Sequence, residues 1–173
     1  MHRPILGALA LVTTLALVGC GSGTGDEPQD TKTPAKDPGE PLSLAMVQEI
    51  VPGTRFAEAT KDCKVGLWSE NSTGVAGEQA KDVTAFRQFD CYPSKKSAQS
   101  SYGIPQLIQV IKVAEFKTPE SAAAYADTES GFADVVQSDT TVVVMSSAAP
   151  EEMAKVKQDL LDGCSDCESK EAQ

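Results

Sequence analysis

Leu107-Ile108-Gln109-Val110-Ile111-Lys112-Val113-Ala114-Glu115-Phe116 is the stretch whose reading decides the fold. At a period of two, Leu107, Ile111 and Val113 fall on one side and Ile108, Val110, Ala114 and Phe116 on the other. A strand apolar on both sides has both sides covered, so the segment is predicted to be central in its sheet. Just after it, Thr118-Pro119 supplies a cap and a first-turn proline for a helix through Ala122, Ala123, Ala124, Tyr125 and Ala126. Its small side chains allow close packing on the sheet. Ser130-Gly131 stops that helix, and residues 140–145, with three consecutive valines, predict another buried strand. The last helix begins near Pro150-Glu151-Glu152, whose acids suit the positive end of the helix dipole. Met153, Val156, Leu160, Leu161 and Cys164 form its apolar face and Gly163 its stop.

Upstream, Val83–Tyr92 reads as a strand whose imperfect alternation calls for a bulge or an edge position. Residues 55–82 are polar and Gly-rich, with only residues 64–68 resembling a short strand. Ser43 caps a helix that carries Leu44, Val47, Ile50 and Val51 on one face, with Leu42 placed to staple against Val47 and Pro52-Gly53 as the end. The order is helix, weak strand, strand, strand, helix, strand, helix. It predicts one compact α+β domain over residues 42–173, a mostly antiparallel sheet covered by helices. Residues 21–41 hold four Gly, four Pro, many charges and, apart from Ala35, no hydrophobic side chain. Such a segment buries too little apolar surface to offset its ordering entropy. As a flexible tether it would span roughly 25 Å, and up to about 65 Å in polyproline II.

The chain opens with Met1, His2 and Arg3, then an apolar run over residues 5–19 that ends in Leu17-Val18-Gly19-Cys20. That is the layout of a secretory signal. The run stops short of the roughly 20 apolar residues a membrane span needs. Leu17-Val18-Gly19-Cys20 resembles the lipobox of bacterial lipoproteins, and all four positions match. The resemblance implies that the Cys20 thiol receives a diacylglyceryl group, that residues 1–19 are cut away after Gly19, and that the new amine is open to acylation. Residues 20–41 would then be the lipidated cysteine and its linker, on the outer face of the cell membrane.

The 173 residues carry 15 Lys and Arg against 25 Asp and Glu, a formal charge of -10. Removal of residues 1–19 takes Arg3 and no acid, leaving 14 bases and a charge of -11. Nucleic acid is therefore not an expected partner, because phosphate binding relies on clustered Lys and Arg. The single histidine is His2, which leaves with the presequence. No Ser-His-Asp triad, Cys-His pair or His-ligated metal can then be assembled from the mature chain. No calcium loop or phosphate-cradling Gly loop is present, and no cofactor is called for. Among 25 acids no catalytic pair stands out, and Glu151, Glu152, Asp159 and Asp162 read as a solvated helix face.

Beyond Cys20 there are four cysteines, Cys63, Cys91, Cys164 and Cys167, an even number that in an exported protein points to disulfides. Cys63 lies beside the weak strand and Cys91 ends the next, so a hairpin would join them and leave Cys164 and Cys167 to close a tight loop. A crossed pattern tying the C-terminal pair back to Cys63 and Cys91 is the alternative. Cys164-Ser165-Asp166-Cys167 also has redox spacing, but it follows a helix C-terminus, whereas reactive pairs open a helix whose dipole stabilises the thiolate. Asp162, Asp166 and Glu168 would raise its thiol pKa further. Four-cysteine zinc ligation is disfavoured by the spacing and by the oxidising compartment.

The Ser43-capped helix ending in Pro52-Gly53, the cysteine after it, the strand and the Thr118-Pro119-Glu120-Ser121-Ala122-Ala123 helix together resemble small actinobacterial envelope lipoproteins. Some of those are similar to the extracytoplasmic sensor domain of actinobacterial serine/threonine kinases. The pattern departs where such domains carry a tryptophan and a cysteine after the Ala-rich helix, since residues 132–138 have neither. No ligand residues carry over. The expectation is a non-enzymatic, lipid-anchored binding or interaction domain of the envelope, its partner an envelope protein or a small ligand. Trp68, Tyr92 and Tyr102, in or beside polar loops, are the candidate binding anchors. An envelope enzyme using carboxylates and a small accessory solute-binding protein are the alternatives.

Overall fold

The computed structural model describes residues 40–70, 75, 77–100 and 103–172. Cys20 with its lipobox, the tether up to residue 39, and Tyr102 lie outside them. The elements are α1 (Leu44–Ile50), β1 (Val65–Ser69), a 3-10 turn (Glu78–Asp82), β2 (Val83–Tyr92), α2 (Lys95–Gln99), β3 (Leu107–Phe116), α3 (Pro119–Glu129), β4 (Asp134–Ser138), β5 (Thr141–Met145), α4 (Pro150–Gly163) and β6 (Glu168–Lys170). The six strands form one open sheet in the order β1-β2-β3-β5-β4-β6, with every neighbouring pair antiparallel. The fold class is α+β.

β3 is interior, as its two-sided apolar pattern requires. On one face Ile111 and Val113 join Phe89, Val136, Val143 and Met145 in a core closed by Met46 and Val47 of α1 and by Met153, Val156 and Leu160 of α4. On the other, Ala114 and Phe116 join Phe86, Val135, Val142 and Val144 beneath Ala122, Tyr125 and Ala126 of α3. The sheet is thus sandwiched between helices. Val110 departs from the expected side and packs with Ile111. The register explains it: Phe89 faces Ile111 but Cys91 faces Leu107, so β3 carries extra residues there and the alternation slips. β2 itself carries the extra residue between Val83 and Ala85, and it is not an edge strand.

The caps fall where the residue types place them. The Ser43 hydroxyl accepts the Met46 N–H at 3.3 Å and the Thr118 hydroxyl accepts that of Ser121 at 3.2 Å. Gly163 is not a left-handed stop, however: it is the last helical residue, and the chain leaves α4 through an extended Cys164 (φ -125°). The short disulfide to Cys167 turns the chain there. β4 and β6 were not predicted, nor was α2. β4 exists through a two-residue turn, Ser138 facing Thr141 around a left-handed Asp139, which folds the valines Val135 and Val136 onto β5. A glycine fixes β1 at Gly66, where a Cβ would stand 1.9 Å from Cζ of Phe89.

Candidate functional site

One groove of about 470 Å³ runs between α4, the start of β4, the end of β5 and the C-terminal residues. Its apolar floor is Met145, Pro150, Met153 and Leu161, each placed by the α4 spacing or by the end of β5. At its lip stands Phe132, 87% exposed, in the turn that leads from α3 to β4. A phenylalanine so exposed leaves apolar surface in water that a partner could cover. Lys157 is the groove's cation. It lies 3.4 Å from Asp134 and 3.3 Å from Glu171, and the Ala172 N–H donates to Asp134 at 3.0 Å. Both carboxylates are therefore held on one ammonium. Methionine walls are compliant, which suits a surface that adapts to what it binds.

A second polar assembly lies on the α3 side of the sheet. Gln88 and Asp90 are buried, Gln88 donating to the Asp90 carboxylate at 2.7 Å, and the Ser69 hydroxyl sits 3.4 Å from its other oxygen. Gln88 faces Lys112 across the strands, and Lys112 meets Glu129 of α3 at 3.3 Å. Tyr125, 3% exposed, presents its hydroxyl to Glu129 without a well-formed hydrogen bond, and the Gln88 side-chain Oε1 has no hydrogen-bond partner among the described residues. Burial first, and the Glu129 charge second, push the Tyr125 hydroxyl well above its usual pKa. The assembly is absent from the sequence reading. The irregular alternation of β2 was its only trace, since Gln88 and Asp90 occupy inward positions where apolar residues are the rule.

The predicted anchors fare differently. Trp68 is half-buried, its indole N–H donating to Val51 O at 3.0 Å and its ring meeting Phe89 edge-on at 5.2 Å. Those contacts tie β1 to the loop after α1. Tyr92 is half-buried at the end of β2, and burial followed by the Asp90 charge raises its pKa. Neither lines the groove. The four cysteines pair as Cys63–Cys91 and Cys164–Cys167, one of the two arrangements the sequence left open. Asp166, inside the second loop, accepts from the Ser138 hydroxyl at 2.7 Å, and that hydroxyl accepts the Leu42 N–H at 3.2 Å. A further hollow of about 380 Å³ beside the start of α3 has Glu120, Asp139, Asp166 and Glu168 on its rim.

Among the described residues no helix is long and apolar enough to cross a membrane. Compared with known proteins, the chain matches no family model, no curated protein and no solved structure.

Proposed function

We propose that this chain is a lipid-anchored envelope protein, held by Cys20 on the outer face of the cell membrane, whose folded domain binds an envelope partner without catalysing a reaction. The groove beside Phe132 carries the reading: an apolar floor, an exposed aromatic lip and two carboxylates already engaged by Lys157 suit contact better than chemistry. Two disulfides support the export part, since such bonds persist in oxidising compartments. The apolar presequence and lipobox supply the route and the anchor.

The test is capture of the lipidated chain with its bound partner from its own membranes, compared with Phe132→Asp. Phe132 is exposed, so the variant keeps the fold, and loss of an aromatic anchor should weaken capture by about 2 kcal/mol or more. Unchanged capture by Phe132→Asp would remove the groove from the reading. The enzyme alternative has one observation in its favour, the buried Asp90 carboxylate, which accepts from Gln88 at 2.7 Å and lies 3.4 Å from the Ser69 hydroxyl. Asp90→Asn should leave partner capture intact. If it abolished a biological activity while fold and capture persisted, a carboxylate would be doing chemistry and the binding reading would give way.

A further inference from the structure

The two edges of the sheet are finished differently. At β1 the outer side is covered, because the Gly66 N–H donates to Gly53 O at 2.6 Å and the loop after α1 lies along it. β6 ends the sheet on the other side and, among the described residues, pairs with β4 alone. An edge strand offers N–H and C=O groups to any strand that can approach. β6 is Glu168-Ser169-Lys170, with Glu168 and Ser169 exposed. Turned end for end, the same three residues present their charges in the opposite order.

A two-fold axis through Ser169 would therefore set Glu168 of each copy opposite Lys170 of the other in an antiparallel pair. Opposite charges directly across such a pair stabilise it and like charges weaken it. A parallel pairing in register would set like against like. Lys170 also meets Asp127 of α3, and an ammonium has donors enough for a second carboxylate. For so acidic a chain most self-contacts are repulsive, whereas the one acid and one base of β6 itself complement their own copies across such an axis. We propose that β6 is a self-association edge, through which two copies of this chain continue one antiparallel sheet across a two-fold axis at Ser169. The proposal rests on the membrane-anchored reading, because three residues make a weak contact that confinement to one surface strengthens by raising effective concentration.

Cysteine substitution in the chain's own envelope tests it. Facing residues of an antiparallel pair have Cα atoms roughly 4.5–5.5 Å apart, within disulfide reach, whereas Glu168 would lie roughly 8 Å from its own copy. Ser169→Cys should therefore migrate at twice the chain's mass without reductant and at the chain's mass with it, while Glu168→Cys stays single. A monomeric Ser169→Cys, or equal cross-linking of both variants, overturns the pairing. Because a new thiol lies close to Cys167, charge exchange gives a second measurement, by energy transfer between labelled copies of the lipidated chain confined to the same lipid vesicles. Glu168→Lys and Lys170→Glu should each weaken association roughly tenfold, and the double exchange should restore it. Equal weakening in the double variant overturns the proposal. Fractionation of the same envelopes reads the anchoring separately: a chain in the membrane that never cross-links fails here while the anchored reading stands.

Discussion

At Gly66 the absence of one carbon sets the position of a strand. The Phe89 ring passes over that residue, in contact with Phe56 at 5.8 Å and Trp68 at 5.2 Å, so the glycine is where β1 and the core of the α1 side meet. Gly66→Ala should cost about 3 kcal/mol, the upper range for overpacking, because the ring has aromatic neighbours on two sides. Urea denaturation measures it, and a loss below about 0.5 kcal/mol would mean that β1 is free to shift. Tyr125 makes a different prediction. Its hydroxyl is buried without a good partner, so Tyr125→Phe should leave stability at neutral pH unchanged or slightly raised. Above its ordinary pKa of 10.0 the unfolded chain releases this proton while the folded chain retains it. Stability from this group is therefore present below that pH and declines as pH rises above it. Denaturation curves of the variant should show a shallower alkaline decline than the parent, and an identical decline would place the titration elsewhere.

The elements legible in the sequence were those whose instructions are local. Ser43 and Thr118 cap their helices, Leu107–Phe116 is interior, and Met153, Val156 and Leu160 bury one side of α4. β4 escaped notice because in Asp-Val-Val-Gln-Ser the two valines are adjacent and show no alternation. β6 has no apolar residue at all, and its position follows from β4 beside it and from the Cys164–Cys167 turn before it. The groove was hidden for the same reason, since its wall residues come from α4, β5, the start of β4 and the C-terminus and share no stretch of sequence. Trp68 and Tyr92 stand beside polar neighbours in sequence, whereas their packing is decided by Val51 and by the strand register. The disulfides differ in kind as elements. Cys63 and Cys91 are separated by 28 residues and Cys164 and Cys167 by 3. On loop-closure grounds, replacing the first pair by alanine should cost about 3–4 kcal/mol and the second about 2. Thermal unfolding of the two double variants checks the ranking, and a larger loss at the C-terminal pair would mean that its hold on Asp166, Ser138 and Leu42 outweighs chain entropy.

At the scale of the whole molecule, the proposed function would join a presequence and lipobox and a polar tether to the disulfide-closed α+β domain as one anchored binding protein. The acid surplus disfavours anionic partners, so under the proposed function contact with the envelope would fall to a lipid on Cys20 and to apolar surface such as the groove at Phe132. Two or three acyl chains give stable attachment where a single chain is marginal, so on that proposal the modification state of Cys20 would decide the location of the entire chain. The most direct test is the intact mass of the protein extracted by detergent from its own cell membranes. The account predicts a chain that begins at Cys20, carries at least a diacylglyceryl group there, and retains both disulfides. An unmodified chain beginning at any other residue, or recovery of the protein with no acyl mass from the soluble fraction, would contradict it.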